Sequence, residues 1–323
     1  MHPPDGLDTT PLQEAPPDDV AQNWLAAMRR GDWAEAWRQT DRTEVPRRLR
    51  QQRPGFVREP RHLRWDGSGF AGRSVLVWCE HGLGDTLQYL RFIPALTRLA
   101  RELHLMVQPP LLSLLQGAPG LGTVHDGWRD APPPRHEVDI EVMELAYAFR
   151  AAIDTLPPPY PHLGRQAHGD FDDLRGDSRL RVGLLWAASD WDSSRSVPLH
   201  LLAPLLAVPG VRFFGLQQGE AAQGAAALPA LEMLSHRTRE LPAAAAAMGA
   251  LDLVISIDGM AAHLAGTLGR PTWVLLKHEA DWRWMATRSD SPWYPGMRLF
   301  RQRAPGDWAG VVSEVAAALR RLR

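Results

Sequence analysis

The chain has 323 residues, 45% of them hydrophobic and 23% charged, and its 36 basic and 37 acidic residues leave a formal net charge of −1. These values predict a soluble globular chain of about two domains and exclude wholesale disorder and collagen-like or coiled-coil architecture. They also argue against a dedicated nucleic-acid binder, whose domain is usually basic.

Residues 1–19, rich in proline and aspartate, are predicted to be a disordered leader. They carry neither a basic segment nor an apolar run, so they are not read as a signal peptide. From Ala21 to about Thr40, Trp24, Leu25 and Met28 fall on one helical face. Arg30-Gly31-Asp32 breaks the pattern, and Trp33, Ala36 and Trp37 begin a second face. This predicts a short helix–turn–helix. Residues 43–64, with seven arginines and a Pro-Gly turn, read as a linker with solvated charge.

Alternation of strands and helices follows. Strands are expected at Ser74–Trp78, His104–Gln108, Thr123–His125 and Asp139–Leu145, with helices at Asp85–Glu102 and Pro109–Gln116. Such alternation predicts a parallel sheet covered on both faces. A proline-rich stretch from Pro157 to Pro161 and the polar residues 164–179 read as a second linker. The alternation then restarts, with strands at Arg181–Trp186, Val211–Leu216, Leu253–Ile257 and Thr272–Leu276. Helices are expected at Leu199–Ala207, Pro242–Leu251 and Met260–Leu268, and a last one at Asp307–Leu322 with Asp307 as N-cap. The expected units are therefore 1–19, 20–64, 65–162, a linker at 163–179, 180–306 and a terminal helix at 307–323. One cysteine, Cys79, allows no internal disulfide, so either the compartment is reducing or the fold needs no staple; a cytoplasmic location is expected. No run of about 18 apolar residues occurs, so any membrane contact is expected to be peripheral.

Four segments carry candidate chemistry. Glu80-His-Gly-Leu-Gly-Asp85 places Gly82 and Gly84 in a turn between a strand and a helix, a geometry that suits anions. It lacks the third glycine of the dinucleotide fingerprint. Asp85 is either a helix cap or a general base. Asp258, Gly259, Met260 and His263 form a second strand–turn–helix, where helix N–H groups could hold a diphosphate; the alternative for His263 is a packed helix histidine. Trp186-Ala-Ala-Ser189 ends a strand near Arg195, either a surface charge or a bidentate phosphate ligand. Asp281-Trp-Arg-Trp284 and Ser291–Pro295 make an aromatic loop. Trp282 and Trp284 either stack on a base or sugar as a lid, or pack the loop.

As a set, these segments resemble the heptosyltransferase-like glycosyltransferases of family 9, in particular a bacterial branch that follows tetratricopeptide repeats. Ala27–Trp37 is similar to the last repeat, and Leu63–Gly67 to the start of the catalytic region. Val77–Tyr89, Val107–Leu111, Arg195–Leu199, Asp252–Gly266 and Asp281–Pro295 follow in family order. The resemblance implies an α/β GT-B fold: two Rossmann-like domains facing across a cleft, with a short repeat-like helical cap. It implies an inverting, metal-independent transfer from a nucleotide-diphosphate sugar, the co-substrate, with no other cofactor. The acceptor would be a glycan, a lipid-linked saccharide or a protein hydroxyl, and nucleic acid is not a partner. By the resemblance Asp85 is the catalytic base. Ser189, Arg195, Gln217, Asp258, Gly259, Met260 and His263 are donor-binding. Two positions depart from the family pattern: His81 replaces a glutamine, and Gly259-Met260 lacks a hydroxyl usual in the donor loop. The rival expectations are a GT-B sugar-nucleotide epimerase and a non-catalytic binding or scaffold protein.

Overall fold

The computed structural model describes residues 17–51, 65–176, 178–188 and 190–322. The chain begins with two antiparallel helices, α1 (Pro17–Arg30) and α2 (Trp33–Gln51). The turn between them needs Gly31, whose φ is +80°. Asp32 then accepts the Glu35 N–H at 3.1 Å and starts α2. Helix therefore begins at Pro17, inside the expected leader; residues 1–16 lie outside the described residues. Helix α2 also runs past Thr40 into the expected linker, and residues 52–64 again lie outside. Arg47 and Arg48 near its end are packed rather than solvated. Arg47 donates to Glu44 at 2.6 Å and to the Trp65 carbonyl at 2.7 Å, and the Arg48 guanidinium lies 4.5 Å from the Trp65 ring centre.

The first sheet has strand order β3-β2-β1-β4, all parallel. It comprises β1 (Ser74–Trp78), β2 (Glu102–Val107), β3 (Thr123–Asp126) and β4 (Val138–Glu141). Val75, Leu76 and Val77 are fully buried, the continuous apolar run of a strand covered on both faces. The helix expected over Asp85–Glu102 is two helices, α3 (Leu83–Tyr89) and α4 (Ile93–Leu99), around a 3₁₀ turn at Leu90–Phe92. Pro94 has no N–H to give the Leu90 carbonyl, and Ile93 donates to it instead. Glu102 already belongs to β2. Helix α5 (Pro109–Leu115) follows β2. Strand β4 ends at Glu141, short of the expected Leu145, because Glu144 opens α6 (Glu144–Ala148) and its carboxylate accepts the Glu141 and Trp65 N–H groups.

The expected linker at 163–179 is anchored at a few points among its described residues. Leu163 and Leu174 are fully buried, and Arg237 pairs with Asp173 at 2.8 Å. The second sheet then forms in the order β10-β9-β8-β5-β6-β7, again all parallel. Its elements in chain order are β5 (Leu180–Leu185), α7 (Ala203–Leu206), β6 (Val211–Gly215), α8 (Glu220–Gln223) and β7 (Leu231–Met233). They continue with α9 (Leu241–Ala250), β8 (Leu253–Ile257), α10 (Met260–Thr267), β9 (Thr272–Leu276), β10 (Met297–Arg301) and α11 (Trp308–Arg321). The first half of the expected helix 199–207 is a 3₁₀ turn, Leu199–Leu202. Strands β7 and β10 were not expected. Asp307 caps α11 by accepting the Gly310 N–H at 2.8 Å.

One core runs from Ala27 and Trp33 of the helical pair, through Val75 and Leu105 of the first sheet, to Leu264 and Trp293. A second lies beneath α11 on the other face of the second sheet, with Val182, Ile255, Trp273, Val315 and Leu319. The buried Arg91 ties the halves: its Nη2 donates to the Trp293 carbonyl at 2.6 Å and its Nη1 to Pro157 at 3.1 Å. Helix α2 is fastened by Trp37, whose indole N–H donates to the Ala151 carbonyl at 2.7 Å, and by Asp41, which accepts from Tyr147 and Arg150.

Candidate functional site

Each sheet reverses its direction of growth at its first strand. In the first, β1 lies between β2 and β4; in the second, β5 lies between β6 and β8. Open parallel sheets bind ligands at such switch points, beyond the carboxyl ends of the strands. The turns singled out in the sequence lie there. Gly82–Asp85 follows β1, the Trp186–Arg195 segment follows β5, and Asp258–His263 follows β8.

The first and third turns meet. A Cβ placed on Gly84 would fall 2.8 Å from His263 Cδ2 and 3.4 Å from Met260 Cα, so only hydrogen fits between α3 and α10. His263 is buried. Its Nδ1 lies 2.9 Å from Tyr294 Oη and its ring stacks on Trp284 at 5.4 Å. Burial, together with the cations of Arg283 and Arg91, lowers its pKa to about 3, so the imidazole is neutral. Asp85 accepts the Gly82 N–H at 2.9 Å through Oδ2, closing the start of α3. Its Oδ1 accepts from Arg283 Nη2 at 2.6 Å. Each oxygen keeps a second lone pair for another donor.

Arg283 was not singled out in the sequence, although it sits inside Asp281-Trp-Arg-Trp284. It reaches from the second half to Asp85 and also binds Asp281 at 2.8 Å. Its burial alone would lower its pKa, but the Asp281 and Asp85 carboxylates reverse this and hold the guanidinium above its ordinary value. Of the tryptophans on either side, Trp284 is buried and Trp282 half-buried. Trp284 is enclosed against His263, and Trp282 meets Trp24 of α1 edge-on at 5.2 Å. Helix α1 covers this loop, a contact across more than 250 residues that local pattern does not reveal.

Glu141, at the end of β4 beside β1, is a second unexpected group. It is 1% exposed, and its Oε1 has no hydrogen-bond partner among the described residues. Oε2 accepts the Met143 N–H at 2.6 Å and lies 3.9 Å from His81 Nε2. Burial, reinforced by the charges of Glu144 and Asp85, pushes its carboxyl up to about 8. The only sequence signal is an acid ending an apolar strand.

Around the second switch point, Arg195 Nη1 donates to the Asp258 carbonyl at 3.1 Å. Burial and the Asp281 charge raise the Asp258 carboxyl to about 6. Gly259 lies in extended backbone and its carbonyl accepts the Ala262 N–H, so α10 starts at Met260. Gln217 spends its amide on the protein: Oε1 accepts the Trp186 and Ala187 N–H groups at 3.2 and 2.9 Å. Ser189 lies outside the described residues. The described residues contain no group of three or more His, Cys, Asp or Glu placed to hold a metal ion, and no helix long and apolar enough to cross a membrane.

No protein-family model matches the chain. Protein FlbA of Caulobacter vibrioides is 27% identical over 326 residues, covering 92% of this chain. The chain spans about half, 53%, of that relative. Among solved structures, a glycosyl transferase family 9 protein from Veillonella parvula superposes with a TM-score of 0.51 at 11% identity, covering 78% of this chain and 90% of its own. The E. coli heptosyltransferase WaaC, solved with ADP, superposes with a TM-score of 0.52 at 13% identity, covering 77% of this chain and all of its own (100%). The fold is therefore an α/β architecture of parallel sheets similar to that of the heptosyltransferases.

Proposed function

We propose that the chain is an inverting, metal-independent glycosyltransferase that uses a nucleotide-diphosphate sugar. The observation that carries this is the meeting of the two switch-point turns, with Asp85 on one side and the Asp258–Met260 helix start on the other. The heptosyltransferase-like fold, shared with an enzyme solved with ADP, supports it. In this account the two sheets are the two domains of a GT-B enzyme. Residues 65–162 hold the acceptor, a glycan, lipid-linked saccharide or protein hydroxyl. Residues 180–306 hold the donor, and α1 and α2 form a repeat-like cap over the aromatic loop.

The acceptor oxygen attacks the anomeric carbon from the face opposite the leaving group. The new C–O bond forms as the bond to the diphosphate breaks. Asp85 takes the acceptor proton on a lone pair that Arg283 and Gly82 leave open. Arg195 and the N–H groups at the start of α10 take the charge that develops on the diphosphate. Arg283 is a positioning residue: it fixes Asp85 at the meeting point of the halves.

A second reading, a non-catalytic nucleotide-sugar binder, is favoured by Gly259 directly following Asp258, where the family pattern has a hydroxyl-bearing residue. The test is Asp85→Asn, assayed for sugar transfer and donor affinity in parallel. Loss of transfer by roughly 10²-fold or more with unchanged donor affinity is expected. Equal loss of both refutes the base assignment. Donor binding without turnover in the unmodified chain, across acceptor classes, supports the second reading.

A further inference from the structure

Lys277 is the one lysine in the sequence. It follows β9 directly, at the carboxyl edge of the second sheet. Its Nζ lies 2.8 Å from Asp192 Oδ2 and 3.2 Å from Ser194 Oγ. Asp192 is shared, because Arg195 Nε approaches the same oxygen at 3.7 Å. Arg195 in turn holds the Asp258 carbonyl at the start of α10. Two cations from separate loops thus converge on a single carboxylate beside the second switch point. The side chains of Lys277, Asp192 and Arg195 are 29%, 23% and 16% exposed, so the group is open to solvent on one side. The Lys277 ammonium, followed by the Ser194 hydroxyl, holds the Asp192 carboxyl below its ordinary value.

We propose that Lys277 and Arg195 form a two-cation clamp for the diphosphate of the nucleotide sugar, and that Asp192 fills the clamp as an internal stand-in until the diphosphate displaces it. This rests on the donor-binding account above. The chemistry of the two residues is complementary. A guanidinium meets phosphate oxygens through a planar fork, whereas an ammonium is a compact point charge that one phosphate can turn towards. Their shared contact with one oxygen places them within the reach of a single diphosphate. Asp192 offers one negative charge to two cations. A diphosphate offers at least two, so displacement leaves both cations better compensated and returns a carboxylate to water.

The test is calorimetric titration of the full chain with inorganic pyrophosphate and with ADP, GDP, UDP, CDP and dTDP. The proteins are the unmodified chain, K277Q, K277R and D192N, each first shown to melt cooperatively. K277Q is expected to weaken the best-bound probe by about tenfold or more, the scale of one charge-assisted hydrogen bond. K277R, which keeps the charge, restores most of that binding. D192N binds pyrophosphate more tightly than the unmodified chain, because the competing carboxylate is gone. If K277Q binds as the unmodified chain does, or if D192N binds more weakly, the clamp is refuted while donor binding by the chain stands. If no probe binds the unmodified chain or D192N, both the clamp and the donor-binding account fall.

Discussion

Replacing Arg283 with methionine tests the link between the two halves of the site. Methionine keeps much of the apolar stem and removes the charge that Asp85 and Asp281 share at 2.6 and 2.8 Å. Removing one partner of a buried ion pair costs about 3–5 kcal/mol, because it strands a buried charge. Here the stranded carboxylates keep some water, since Asp85 is 23% and Asp281 35% exposed against 11% for Arg283. The expected loss is accordingly about 2–3 kcal/mol. Arg283→Lys retains the charge but cannot fork between two carboxylates, and should fall in between. The assay is urea unfolding of R283M, D85N and the double variant, read as midpoint shifts at constant slope. Residues in direct contact should show a coupling energy of about 1–2 kcal/mol in this cycle. A loss below about 0.5 kcal/mol in R283M, or strictly additive effects, would show that the pair carries no energy. Arg283 then could not be what positions Asp85.

Gly84→Ala should cost about 1–3 kcal/mol, since the added methyl falls 2.8 Å from His263 Cδ2 and overpacks the contact between α3 and α10; an unchanged urea midpoint refutes that contact. Glu141 should make stability fall with rising pH. The unfolded carboxyl ionises near its ordinary 4.5, but in the fold, burial first and then the Glu144 charge delay ionisation to about 8. Across that window the native state holds the extra proton, so raising the pH favours unfolding. Glu141→Gln should therefore melt higher than the unmodified chain above pH 8 and lose part of the downward slope; parallel melting curves from acid to base would exclude this role. His263 acts in the opposite sense. It is held neutral down to about 3 by burial and two nearby cations, and its contribution is lost as pH falls from 6.5 towards that value.

The strands were the most legible part of the fold. Ser74–Trp78, Leu253–Ile257 and Thr272–Leu276 are short apolar runs buried on both faces, and their bounds can be read from the residues alone. Where backbone chemistry overrode periodicity, reading failed. Leu87, Leu90, Ile93 and Leu96 keep helical spacing straight through the break that Pro94 imposes. Arg47 and Arg48 look solvated until Trp65, which no local pattern connects to them, takes them up. Strand β7 is three residues long and gives no periodic signal. In the site, the glycine turns were legible because a strand–glycine–helix sequence has local geometry. Arg283 was not: it is one of 36 basic residues, and its partner Asp85 lies 198 positions away. The aromatic loop could be named but not placed, since α1 packs it through Trp24 from the other end of the chain.

The most direct test of the central claim is thermal unfolding of the full chain against a panel of nucleotide sugars, with the matching nucleoside diphosphates as competitors. At about a hundred times its dissociation constant, a true donor adds roughly 2.7 kcal/mol of stability. The account predicts saturable stabilisation by one nucleotide class, reversed for the sugar-bearing form when Asp258 or Arg195 is substituted. A chain that melts cooperatively and at the same temperature with every nucleotide sugar and nucleoside diphosphate in the panel would contradict it.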